Sequence, residues 1–349
     1  MQIFTGFEPT KLCGVDVDVL QTTEHDARYV QDLQLVKRLG ITMLRVAVPW
    51  HRIEKQRGVF DWQWFDAYVE QLSALGIEPI FDPLHHCSFG PETDFLDALF
   101  PMRYLQFIVQ LLERYPHVTK YTLVNEPTVT AHFSCGSGIW PPHVSGKYKE
   151  AMRNLLDVFT TGSALLRYNK KEHWYVDACN PARNPERFTF LDKLLKAGVT
   201  IDVLGLDYYP HCDDMHRPTT FYSIAKEYYE RYKLPIALTE TNIRGFVQDR
   251  QTWFVYMYKQ CLQLEQEVPF RGFCWYPFID SRDWASLLQR HEGHLDPVGI
   301  IWLDADNNRH ENEFSNNIKL LNSGQITIAD VPTYAYQPPL NQTLKNFIQ

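Results

Sequence analysis

The chain has 349 residues, 45% of them hydrophobic and 14% aromatic, and a formal net charge of −8. That is enough apolar material for a large core, and an acidic balance without a Lys/Arg cluster lacks the electrostatic footprint of a nucleic-acid binder. No apolar run approaches the roughly 20 residues needed to span a bilayer, so neither nucleic acid nor a membrane is an expected partner.

The opening residues, Met1 to Gly6, show no basic stretch, apolar stretch or small-residue cleavage site, so no secretory signal is expected. The seven cysteines (13, 87, 135, 179, 212, 261 and 274) are odd in number, scattered and without a C-x-x-C pair. That pattern suits reduced thiols in a cytoplasmic protein better than a disulfide framework.

Along the chain, short apolar runs alternate with amphipathic stretches. Ile3–Phe7 reads as a strand, followed by a helical pattern over Asp26–Leu39 that stops at Gly40. Next come a strand at Met43–Val48 and a helix at Phe65–Leu75 ending at Gly76, then a strand at Pro79–Asp82 and a helix at Tyr104–Tyr115 ending before Pro116. The series continues with strands at Tyr121–Val124, Trp174–Ala178, Val203–Tyr208, Ile236–Thr239 and Gly272–Trp275, and helices at Tyr148–Leu166, Phe188–Ala197, Tyr222–Tyr232, Thr252–Gln266 and Glu313–Leu321. The strands are short and apolar throughout, as buried parallel strands are, rather than strictly alternating.

Eight strands alternating with eight helices predict an α/β fold of the (β/α)8 TIM-barrel type as a single domain. A doubly wound open sheet would more often carry a Gly-rich phosphate turn, and Gly136-Ser137-Gly138 fits no such fingerprint. The barrel is assigned to residues 1–322, and residues 323–349, with Pro332, Pro338 and Pro339, are expected to pack on its exterior. The longer insertions, Ala131–Gly146 and Ile279–Asp304, follow strands four and eight and should lie at the C-terminal face, where barrel active sites form.

Two glutamates follow otherwise apolar strands. Val124-Asn125-Glu126-Pro127 closes the fourth and Leu238-Thr239-Glu240-Thr241 the seventh. One carboxylate at a strand end is ordinarily a solvated loop residue. A pair that emerges at one barrel mouth matches the two carboxyl groups that glycosidic bond cleavage requires.

These residues carry a resemblance. From about Glu24 to Asp304 the chain resembles glycoside hydrolase family 1 of the clan A barrels, whose members are retaining β-glycosidases. Arg45-Val46-Ala47-Val48-Pro49-Trp50 with Arg52-Ile53-Glu54 resembles the family's second-strand region, and Gly76-Ile77-Glu78-Pro79-Ile80 leading to His85 resembles the third. Val124–Pro127 is similar to the acid/base motif, Asp202–Tyr209 to the sixth strand and Thr239-Glu240 to the nucleophile motif, while Trp275 with Asp283-Trp284 resembles the eighth.

The resemblance implies roles. Glu126 would be the general acid/base and Glu240 the nucleophile, with Arg45 keeping Glu240 ionised and Tyr209 hydrogen-bonded to it. Asn125 would meet the sugar 2-hydroxyl, His85 other glycone hydroxyls, and Trp275 would be the sugar platform, with Asp283 and Trp284 completing the glycone site. No cofactor and no metal are implied, and His85-His86 and His291-Glu292-Gly293-His294 lack good ligand spacing.

The departures fall at positions that choose the sugar. Thr241 and Asn242 follow the nucleophile in place of Asn and Gly, Asp207 replaces the usual Asn before the paired tyrosines, and one extra residue separates Trp275 from Asp283. Neither Glu8 nor Gln21 fits well as the family's glycone-binding Gln. The phosphate-recognising set of phospho-β-glucosidases is not recognisable, although Arg282 and Arg290 are near. Transglycosylation at the same site and a catalytically silent carbohydrate-binding barrel stay open as alternatives, and the sugar, the aglycone and the oligomeric state are not specified.

Overall fold

The computed structural model describes residues 1–12, 17–179, 187–209 and 220–335. Eight parallel strands close into a barrel: β1 (Ile3–Gly6), β2 (Met43–Ala47), β3 (Glu78–Asp82), β4 (Lys120–Asn125), β5 (Glu172–Ala178), β6 (Val203–Asp207), β7 (Ile236–Glu240) and β8 (Phe270–Trp275). Each pairs with its sequence neighbour, and β1 closes the ring against both β2 and β8. The Thr5 hydroxyl adds a 2.7 Å bond to the Trp275 carbonyl at that seam. All eight strands read from the sequence are present, with ends differing by a residue or two, and the expected barrel is the fold observed.

The helices between them are α1 (His25–Arg38), α2 (Gln63–Leu75), α3 (Phe100–Arg114), α4 (Tyr148–Tyr168), α5 (Arg187–Lys196), α6 (Phe221–Tyr232), α7 (Val247–Glu265) and α8 (Glu313–Asn322). Local chemistry sets their ends. Gly76 stops α2 in the left-handed region at φ 63°, where the missing Cβ removes the steric penalty. Asn312 starts α8 with a reciprocal cap, its side chain accepting from the Ser315 amide while the Ser315 hydroxyl accepts from the Asn312 amide.

Strand alternation divides the apolar side chains into two layers. Phe4, Met43, Ile80, Trp174, Val176, Val203, Ala237, Cys274 and Tyr276 form one cluster, filling the barrel interior. A much larger cluster, which includes Leu44, Val46, Leu123, Leu206, Phe273 and Trp275, packs strands against helices. Towards the C-terminal ends the inward positions turn polar, with Arg45, Asp82, Asn125 and Asp207 all buried.

The described part of the chain after α8 runs against α7: Gln251 donates to the Pro332 carbonyl at 2.9 Å, the Tyr334 amide donates to Thr252, and Val331 is buried. Residues 336–349 of the expected exterior tail lie outside the described residues. Among the described residues, no helix is long and apolar enough to cross a membrane.

Candidate active site

The two glutamates reach one place because the ends of β4 and β7 depart from regular pairing. The β4–β5 register shifts between Thr122 and Asn125, and the β6–β7 register shifts so that Asp207 stands opposite Glu240. Such irregularities re-aim side chains at barrel rims. Glu126 then takes a left-handed conformation, φ 43° and ψ 58°, at the start of a short helix over Pro127–Ala131. This region is unfavourable for a residue with a Cβ. Two bonds hold it there, from the Glu126 amide to the Val176 carbonyl at 3.0 Å and from the Thr130 amide to the Glu126 carbonyl at 2.9 Å.

Carboxyl oxygens of Glu126, Glu240 and Asp207 lie within 4.8 Å of one another. Glu126 is 8% exposed, Glu240 3% and Asp207 0%. Dry surroundings and the neighbouring carboxyl charges therefore dominate. Burial first, then Asp207 and Glu240, push the Glu126 carboxyl well above the usual carboxylate range, and Arg45 opposes this only in part. Burial and Glu240 raise Asp207 in the same way.

Glu240 is gripped from both sides. Arg45 Nη1 donates to one carboxylate oxygen at 2.6 Å, and the Tyr209 hydroxyl donates to the other at 2.6 Å. Arg45 Nη2 donates to Asp82 at 3.0 Å and to the Asn125 side-chain oxygen at 2.7 Å, so one planar guanidinium fixes three strand ends. The amide nitrogen of Asn125 is thereby turned away from Arg45, 3.4 Å from His85 Nε2.

His85 belongs to the same network. Its Nδ1 lies 2.8 Å from Asp82, and its Nε2 faces the Tyr276 hydroxyl at 3.4 Å and Glu8 at 3.8 Å. Burial alone would lower its proton affinity, but Asp82 and Glu8 outweigh it and His85 is raised. Glu8, a poor fit in the sequence, thus stands beside the expected glycone residues. Its carboxylate accepts from the amide and hydroxyl of Thr10 and is raised by burial.

Two expected glycone residues are placed elsewhere. Trp275 was expected as the sugar platform, but its indole lies outside the barrel wall, 4.8 Å from the Phe314 ring centroid, with Nε1 donating to the Val298 carbonyl. The inward aromatic is Tyr276. Its ring stacks on His85 with centroids 5.8 Å apart, and the Arg45 guanidinium sits 5.4 Å from its centre. Gly6 makes the room, since a Cβ there would come within 2.7 Å of that ring. Counting from Tyr276 instead of Trp275 also removes the extra residue before Asp283. Strand parity held the signal: inward Cys274 implies inward residue 276.

Asp283 is the second correction. It was expected to meet sugar hydroxyls, yet its carboxylate accepts from the backbone amides of Glu292, Gly293 and His294, at 3.3, 3.2 and 2.8 Å, and from His291. Its anionic charge is used to fold the loop after β8. Trp284, next to it, does face the rim, with centroids 6.1 Å from Trp140 and 5.8 Å from His86. The Trp140 indole donates to the Leu287 carbonyl at 2.8 Å, joining the long loops after β4 and β8 above the carboxyl groups. Arg282 is bonded to Asn307 and the Gly293 carbonyl, and Arg290 pairs with Glu292 on the surface. A cleft of about 350 Å³ at the start of β5, lined by Arg167, Lys170, Lys171 and His173, contains none of these residues.

Residues 11–175 match the family model for glycosyl hydrolase family 1. Over that segment the chain is similar to glycosyl hydrolase family 1. The matched segment contains Arg45, His85, Asn125 and Glu126 and stops before Glu240. Among curated proteins, the chain is 28% identical to a 6-phospho-beta-galactosidase of Lacticaseibacillus casei (strain BL23) over 138 residues, 36% of this chain and 28% of that protein. It thus spans little more than a quarter of the curated relatives it matches. In fold it is similar to a family 1 β-glucosidase from Thermotoga maritima, with a TM-score of 0.74 and 16% identity over 87% of this chain and 88% of that one. The same β-glucosidase in complex with glucoimidazole gives 0.74 at 17% identity with the same coverage.

Proposed function

We propose that the protein is a retaining β-glycosidase that cleaves O-glycosidic bonds by double displacement, with Glu240 as nucleophile and Glu126 as acid/base. The observation that carries this reading is the approach of the two carboxyl groups, within 4.8 Å at their nearest oxygens. Retaining enzymes place the pair about 5–5.5 Å apart, whereas inverting enzymes leave about 6.5–9.5 Å for a water.

In the first step Glu240 attacks the anomeric carbon while Glu126, protonated because its site is dry and acidic, gives its proton to the departing oxygen. In the second, Glu126 as carboxylate takes a proton from water, which displaces Glu240. Arg45 and Tyr209 hold Glu240 for attack. Asn125, His85, Glu8 and Tyr276 line the side on which the glycone sits, and Trp284 stands at the rim. No cofactor or metal enters either step. Arg282 is held by Asn307 and the Gly293 carbonyl, which favours an unphosphorylated sugar. The buried free thiols Cys135, Cys261 and Cys274 suit a reducing, cytoplasmic setting.

The test is Glu240→Ala with added azide on an activated aryl β-glycoside. Turnover should vanish and return with azide as an α-glycosyl azide. An inverted product from the unmodified enzyme, with no azide rescue, would exclude the two-step route.

A further inference from the structure

A third carboxyl group stands beside the proposed pair. Asp207 ends β6 with no exposed surface. One of its oxygens accepts from the Thr239 hydroxyl at 2.6 Å, and the other, Oδ2, is buried with no hydrogen-bond partner among the described residues. An ionised carboxylate only accepts, and a buried charge left unpaired is strongly disfavoured. A protonated carboxyl has an O–H to give, and the neighbouring acceptors are oxygens of Glu126 and Glu240 within 4.8 Å.

The other groups facing Asp207 do not supply a counter-charge to that oxygen. Asp177 approaches from β5 with its own carboxyl, and Tyr209, two residues further along the chain, gives its hydroxyl to Glu240. Arg45, from β2, is committed at hydrogen-bond distance to Glu240, Asp82 and Asn125. One guanidinium therefore serves Asp82 and Glu240 directly, and among the described residues no other cation pairs with the Glu126–Glu240–Asp207 cluster.

We propose that Asp207 is a positioning residue that stores a proton beside the acid/base: its Oδ2 carries the proton, points it at the Glu126–Glu240 pair, and exchanges it with Glu126 as one coupled site. This rests on the glycosidase reading given above. The resemblance leads one to expect Asn at this position. An amide would donate the same hydrogen bond but has no acidic proton to lose, so the substitution adds titration without changing shape. Burial, reinforced by Glu240, favours the protonated form of Asp207, and the same two causes favour that of Glu126. Interacting acids of this kind lose protons in two steps that belong to the pair.

Asp207→Asn is the direct test. With the charge of ionised Asp207 gone, Glu126 should release its proton more readily, and the alkaline limb of kcat/KM should move to lower pH by roughly one unit and become a single ionisation. The plateau kcat should stay within about tenfold, because the amide can still donate. A fall in kcat with an unmoved limb overturns the proposal. Infrared spectroscopy supplies a readout without catalysis: near neutral pH the protonated-carboxyl stretch of the wild type should lose one component in Asp207→Asn, and identical spectra overturn the proposal. Should that variant not fold, Thr239→Val removes the donor that favours ionised Asp207, so the band should persist to higher pH; an unshifted band counts against it. Stabilisation of the wild type by Ca2+ or Mn2+, absent in Asp207→Asn, would also overturn it by showing ionised carboxylates. If no β-glycoside is cleaved, the glycosidase reading falls, and the infrared band still decides the protonation of Asp207.

Discussion

Arg45 Nη1 lies 2.6 Å from Glu240 Oε1, and both side chains are withdrawn from solvent. The contact joins β2 to β7 across the barrel mouth and aims the carboxylate at the space shared with Glu126. Arg45→Lys keeps the charge but loses the fork that reaches Asp82 and Asn125 simultaneously. We expect kcat to fall about a hundredfold, equivalent to roughly 2.7 kcal/mol, with the fold retained. Arg45→Gln leaves buried carboxylates without their cation, a loss of about 3–5 kcal/mol in stability. Steady-state kinetics beside urea unfolding separate the two effects, and wild-type kcat in Arg45→Lys would deny the guanidinium a positioning role.

Tyr209 provides the other grip on Glu240. A hydrogen bond to a charged group is worth about 1.5–3 kcal/mol, so Tyr209→Phe should lower kcat roughly ten- to a hundredfold while the melting temperature barely moves. A variant with unchanged kcat but reduced stability would reassign the hydroxyl to the fold.

With Glu126 as the proposed acid, its proton should set the upper pH limit. Its affinity is raised by burial and by Asp207 and Glu240, so the acid form persists where an exposed glutamate is ionised, and activity is lost as pH rises through the raised value. Glu126→Gln should remove that limb, and it should slow substrates with poor leaving groups far more than activated aryl glycosides, which depart without protonation. Equal losses for both substrate types would contradict general acid catalysis.

Asp177 gives a stability signature. It accepts from Thr128, Tyr175 and the Ala178 amide, yet burial pushes it up to about 6 from 3.8. The folded state therefore binds this proton more tightly than the unfolded chain. Its contribution is full below pH 3.8, declines as pH rises to about 6, and is gone above that. The total change is about 3 kcal/mol. Asp177→Asn should flatten the dependence of unfolding free energy on pH across this window in urea titrations. An unchanged slope would show that another group controls it.

Tyr276→Ala and Trp275→Ala should fail in different ways. The first empties the proposed glycone side and should raise KM and lower kcat of the folded fraction, beside the destabilisation that any buried ring loss brings. The second removes a buried indole between β8 and α8, which costs about 3–5 kcal/mol, and should leave the kinetics of the folded fraction close to wild type. The reverse outcome would restore Trp275 as the platform.

The barrel was legible because each strand is a short apolar run and each helix has a clear stop such as Gly76. Glu126 and Glu240 were legible because each breaks an apolar strand at its end. What failed was orientation. Adjacent aromatics Trp275 and Tyr276 differ only in which side of the wall they face, and motif matching chose the larger ring where parity from Cys274 selects its neighbour. Asp283 failed for another reason: the backbone amides that claim its carboxylate belong to a loop whose fold no local pattern reveals. Glu8 acquires a place only when the residues after β1 meet His85 after β3, a contact between distant parts of the chain.

The Trp140–Leu287 bond makes the two long rim segments mechanically dependent, although 147 residues separate its ends. Exchanging either segment alone with that of another barrel would strand an indole N–H or a carbonyl and unsettle the opposite wall. Re-engineering of this entrance would have to move both segments together as a matched pair.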